Sequence, residues 1–135
     1  MNTLLIALAM IPFGREGSIV HSQKIKLISS VIMVESSGND SAHNLSEDAV
    51  GCLQIRPIMV REVNRLLKRR GDDRVYTLQD RWNRRKSIEM FLVFNRNITK
   101  FEEQCRRWNG GPNGMNKPST RKYWNKVKAI LNKKK

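Results

Sequence analysis

The stretch that most constrains this chain is residues 25–34, where apolar side chains recur at helical spacing. Ile25, Ile28, Val31 and Ile32 form one stripe, and Leu27 and Val34 widen it until the segment is apolar most of the way round. Such a helix must be the buried axis of a fold, with other elements packed about it. It ends in SSGND, residues 36–40, a cluster of turn formers. Between helix and turn stands one carboxylate, Glu35.

The rest of the chain also follows a helical period. Met59, Val63, Leu66 and Leu67 predict a second helix, opened by Pro57 and closed by Gly71 behind Lys68, Arg69 and Arg70. A third is expected from about Arg85 to Asn95 on Ile88, Phe91 and Leu92, and a fourth from about Thr99 to Arg107. A fifth starts at Pro118 on Tyr123, Val127, Ile130 and Leu131. NGGPNGMNKP, residues 109–118, reads as a loop. No segment sustains period-two alternation, and there is no repeat or interdomain linker. The predicted class is mainly α.

At 135 residues and 39% hydrophobic composition, the chain suits one domain with its own core. We place that domain at residues 19–135. Residues 1–18 are either a signal peptide or an N-terminal packing segment. The apolar run from Leu4 to Phe13 matches a signal-peptide core in length and is far short of a membrane span, but it lacks a basic leader.

With 26 Lys+Arg against 12 Asp+Glu, the net charge of +14 will attract polyanions: nucleic acid, anionic lipid or an acidic cell-wall polymer. Charge alone does not choose among them. Cys52 and Cys105 lie far apart in sequence with only His21 and His43 as other soft ligands, so no zinc spacing exists and no structural metal is expected. The two cysteines are either one disulfide or two buried thiols.

Glu35 sits where the helix dipole disfavours negative charge and where its sequence neighbours are apolar, and both effects raise its pKa. A glutamate that keeps its proton beside a surface turn is what glycosidic cleavage needs, because the leaving oxygen must be protonated as the bond breaks. On position alone the simpler reading, an exposed glutamate in a last helical turn, is the stronger one.

Three more segments change that balance. VES at 34–36, AVGCLQI at 49–55, RWNGGPNG at 107–114 and TRKYWNKV at 120–127 together resemble, in order and rough spacing, the signature of the lysozyme-like lytic transglycosylases of the soluble-transglycosylase type, with goose-type lysozymes as distant relatives. The resemblance covers about residues 22–130. It implies a lysozyme-like single domain whose buried central helix ends at the catalytic Glu35. It also implies substrate contacts from Ser36, Gln54, Trp108, Asn109 and Tyr123, and a monomer that acts on peptidoglycan at the cell wall without metal or cofactor.

Under that resemblance Glu35 would protonate the oxygen linking N-acetylmuramic acid to N-acetylglucosamine. It would then, as a base, draw a proton from the muramic hydroxymethyl group, so that a 1,6-anhydromuramic end forms without water. Hydrolysis of the same bond by a muramidase is the nearest alternative.

The sequence departs from the family pattern in places. Cys52 takes a leucine-like position, Trp108 stands where the family has tyrosine, and Leu45 and Asp48 replace a serine and a glycine. Trp108 keeps an N–H donor but cannot accept as a hydroxyl can. Ser46, Glu47 and Asp48 are ambiguous: either acid could activate water, although a solvated loop acid is the better reading. Arg56 stands where goose-type lysozymes carry an aspartate.

Two readings from other classes compete. KRR at 68–70, RR at 84–85 and the terminal KKK suit a basic nucleic-acid-binding module, though no recognition-helix or RNA motif accompanies them. The other is a catalytically inactive peptidoglycan-binding relative.

Overall fold

The computed structural model describes residues 15–133, with side chains from His21 onward. Residues 1–14, most of the stretch assigned above to a signal peptide or a packing segment, lie outside the described residues. The described part has five α-helices: α1 (Arg15–Ser36), α2 (Pro57–Arg69), α3 (Arg84–Phe94), α4 (Phe101–Gly110) and α5 (Pro118–Leu131). Short 3-10 turns occupy Leu78–Trp82 and Gly114–Asn116. Between α1 and α2 lies a two-stranded antiparallel hairpin, β1 (His43–Asn44) and β2 (Ala49–Val50), in register His43 with Val50 and Asn44 with Ala49. The mainly α class is as expected.

Helix α1 is the axis that its sequence demanded. Leu27, Ile28, Val31 and Ile32 are all buried. They pack into one cluster with Leu53 and Ile55 after the hairpin, Val63 and Leu67 of α2, Ile88, Met90 and Phe91 of α3, Cys105 and Trp108 of α4, and Tyr123 and Val127 of α5. Full burial of each large aliphatic or aromatic side chain here contributes about 1.5–3 kcal/mol before chain entropy is set against it. α5 packs on both α1 and α4, and α2 packs on α3. No helix among the described residues is long and apolar enough to cross a membrane.

The helix ends follow local chemistry. Pro57 and Pro118 each sit in a first turn, where a missing N–H costs nothing. Asn83 caps α3 by accepting from the Lys86 N–H at 2.9 Å.

Helix α4 corrects the sequence reading. It was expected to stop near Arg107, with Asn109 and Gly110 in the following loop, yet it runs on through both. The stop comes from Gly111, whose φ of 85° breaks the helix without a Cβ penalty. Asn109 therefore projects from a helical last turn.

The hairpin is held from beneath by Arg81, which is only 5% exposed. Its guanidinium donates to the Asp48 carbonyl at 2.7 Å and the Ile55 carbonyl at 3.1 Å, and lies 3.4 Å from the Asp48 carboxylate. A buried cation so fully bonded fixes the segment on both sides of β2. Both cysteines are buried and unbonded to each other, which selects the two-thiol alternative.

Candidate active site

An open groove of about 970 Å³ runs past the C-terminal end of α1. Five of the six residues singled out from sequence line it: Glu35, Gln54, Trp108, Asn109 and Tyr123. They come from α1, the segment after the hairpin, α4 and α5, so the fold gathers side chains spread over 88 positions of sequence.

Ser36 is the exception, for it is not part of the groove wall. Its hydroxyl lies 2.8 Å from the Cys52 carbonyl, to which it donates, and accepts from the Gly38 and Asn39 N–H groups at 3.2 and 3.1 Å. These bonds tie the end of α1 to the segment carrying Gln54. Ser36 thus holds Glu35 in place rather than reaching into the groove.

The Tyr123 hydroxyl donates to Glu35 Oε2 at 2.6 Å. Burial raises the Glu35 pKa from an ordinary 4.5 to about 7; the Tyr123 hydrogen bond and the Arg56 charge pull it down, and the Glu47 charge pushes it up. The apolar surroundings win. Glu35 is therefore protonated up to about neutral pH, and with Oε2 taken by Tyr123 its proton belongs on Oε1. Tyr123 is itself held well above its ordinary pKa by burial and then by the Glu35 charge, so it remains a donor.

Tyr123→Phe is expected to raise the Glu35 pKa further, because it deletes a group that favours the carboxylate. Titration of the carbon-13-labelled Glu35 carboxyl would show the upward shift. The lost hydrogen bond should cost about 1 kcal/mol of stability.

Trp108 is a wall residue with most of its ring in the core, only 6% exposed. It meets Phe91 and Phe94 edge-on, at centroid distances of 5.0 and 5.7 Å. The hydroxyl that bonds Glu35 comes from Tyr123, so an indole at position 108 leaves the glutamate no less supported. Gln54 has a left-handed φ of 48°, and its Nε2 donates to the Ala42 and Gly51 carbonyls at 3.2 and 3.0 Å. What Gln54 has left to offer a ligand is mainly its acceptor oxygen.

The ambiguity between the two hairpin acids resolves by placement. Asp48 turns to His43 at 3.2 Å and to Arg81, while Glu47 lines the groove and is felt by Glu35. Arg56 also lines it. Sequence reasoning missed Lys122 and Lys126 in the wall. The signal was present: Ser119, Lys122, Tyr123 and Lys126 recur at three- and four-residue spacing and make one face of α5.

No group of three or more metal-ligating side chains occurs among the described residues. Comparison with protein-family models, with curated proteins and with solved structures found no match to this chain.

Proposed function

We propose that the chain is a peptidoglycan lytic transglycosylase that cleaves the bond between N-acetylmuramic acid and N-acetylglucosamine. One observation carries this reading: a single glutamic acid, dry enough to stay protonated near neutrality, opens onto a long groove with its second oxygen already bonded to Tyr123. The four-motif resemblance described above supports it.

In this mechanism Glu35 gives its proton to the linking oxygen as the bond breaks, and the neighbouring acetamido group stabilises the developing charge on the sugar. The glutamate so formed is stabilised by the Tyr123 hydroxyl and the Arg56 charge, the two groups that lower its pKa. It then removes the proton of the muramic hydroxymethyl group, whose oxygen closes on the anomeric carbon. One proton leaves Glu35 and one returns, so no net proton or water is consumed.

Glu47 favours a second reading, hydrolysis of the same bond. As a carboxylate on the groove wall it could activate a water to attack the same carbon. Digestion of purified sacculi and weighing of the released muropeptides separates the two. Products lighter by one water than those of a muramidase are expected. Full-mass products would establish the hydrolase, and intact sacculi would defeat both readings in favour of a binding protein. A salt-sensitive shift of DNA by a chain inert on cell walls would favour the nucleic-acid reading.

A further inference from the structure

The α5 wall of the groove is purely cationic, whereas the facing lining mixes the acids Glu47 and Glu62 with Arg56. Of its exposed groove-facing side chains, Lys122 and Lys126 flank Tyr123, one residue before it and three after. Tyr123 fixes their location, since its hydroxyl touches Glu35. Lys126 is displaced from Tyr123 by about one helical turn, or roughly 5 Å along α5. Neither lysine makes a hydrogen bond or ion pair among the described residues, whereas Lys117 at the start of the helix donates to the Gly110 carbonyl at 2.7 Å. From Pro118 to Leu131 helix α5 has no acidic residue to neutralise them.

The other wall carries the groove's acids but does not satisfy the lysines. Glu62 is engaged by Arg65 at 2.9 and 2.7 Å, and Glu47 stands on the hairpin. With Arg56 across the groove, these two unpaired cations near a proton-donating acid suit a negative group carried by the ligand. An uncharged glycan would leave them unused.

We infer that Lys122 and Lys126 form a carboxylate-recognition strip that selects glycan strands bearing carboxylates branched from the sugar chain over uncharged strands. This rests on the lytic reading for the identity of the strand. In a peptidoglycan strand the carboxylate has two sources: the lactyl group itself when the peptide has been removed, or the acidic groups of the attached peptide when it is present. In both cases the charge projects sideways from the sugar next to the cleaved bond, and the strip lies beside the acid that serves that bond.

The test is the dissociation constant of three soluble probes for the wild type and for the double variant Lys122→Gln/Lys126→Gln: peptide-bearing strands, amidase-stripped strands and uncharged N-acetylglucosamine oligomers. Both lysines are exposed, so the variant should fold. Binding of the carboxylate-bearing probes is expected to weaken about tenfold, with the uncharged oligomer unchanged. The difference should shrink as salt is raised. Loss confined to peptide-bearing strands assigns the strip to the peptide, and loss confined to stripped strands assigns it to the lactyl group.

Equal affinity of the two proteins for all probes, or an equal loss for all three, overturns the inference. Turnover is scored separately. Wild-type protein that discriminates by carboxylate but releases no product leaves the strip standing and removes the lytic reading. Wild-type protein that cleaves strands while the lysines prove irrelevant does the reverse, and failure to bind any probe removes both.

Discussion

Glu35→Gln is expected to lower lytic activity by at least about 10³-fold and, above neutral pH, to make the protein more stable. The first effect follows from the proposed mechanism: a positioned general acid contributes about 10²–10⁴-fold, and in that mechanism one group serves two successive proton transfers. The amide can accept the Tyr123 hydrogen bond but has no proton to give the leaving oxygen.

The second effect follows from the raised pKa. The folded chain holds the Glu35 proton up to about pH 7, while an unfolded chain releases it near 4.5. Between those values the native state binds a proton that the unfolded state has lost. Stability is therefore fully present below pH 4.5 and declines as pH rises to about 7, by on the order of 3 kcal/mol. Glutamine has no charge to desolvate at any pH, so urea unfolding at pH 8 should find the variant more stable, and at pH 4 should find the two proteins close. Sacculus lysis by the variant, or a stability difference that does not change with pH, would remove Glu35 from the centre of the mechanism.

Gly51→Ala is expected to cost about 3 kcal/mol or more and to lower the melting temperature by roughly 10 °C, as read by thermal unfolding. Gly51 has a φ of 84°, and a Cβ there would drive into the backbone carbonyl of Arg81. No side chain can step aside to relieve that clash. The same residue donates to the Ala42 carbonyl at 2.8 Å, and its own carbonyl accepts from the Gln54 N–H at 3.1 Å. A shift at Gly51 would carry with it the hairpin bearing Glu47 and the segment bearing Gln54.

Gly38→Ala is the control. Its φ of 87° is similar, but a Cβ there meets nothing within 4 Å, so only the backbone penalty of about 1 kcal/mol remains. Equal losses at the two positions would mean that the approach of Gly51 to Arg81 has no energetic weight.

The helices could be read from sequence because their signals are local. The all-round apolar pattern of residues 25–34 requires a buried axis, and Pro57, Gly71 and Pro118 mark helix ends with their own backbone chemistry. Where the reading stopped short, at Arg107, it took Asn109 and Gly110 as turn formers, whereas the terminating geometry belongs to Gly111 alone. The hairpin was invisible because two-residue strands are too short for alternation to register.

Placement within the site was harder. That Glu35 lies at a helix end beside a turn is a local fact, but its bond to Tyr123 spans 88 positions and depends on how α5 packs against α1. Ser36 reads as a groove residue from its neighbour, yet the carbonyl of Cys52 captures its hydroxyl. Glu47 and Asp48 are adjacent and chemically alike. The partners of Asp48, His43 and the buried guanidinium of Arg81, tell them apart.

The two thiols bear on where such a chain can operate. Burial pushes both Cys52 and Cys105 up to about pH 12, so the reactive thiolate is scarce and hidden from solvent. Oxidants and alkylating reagents should find neither sulfur in the folded protein. The described fold would then carry two free thiols in reducing and in oxidising surroundings alike, and its packing would not depend on a cross-link between α4 and the segment after the hairpin.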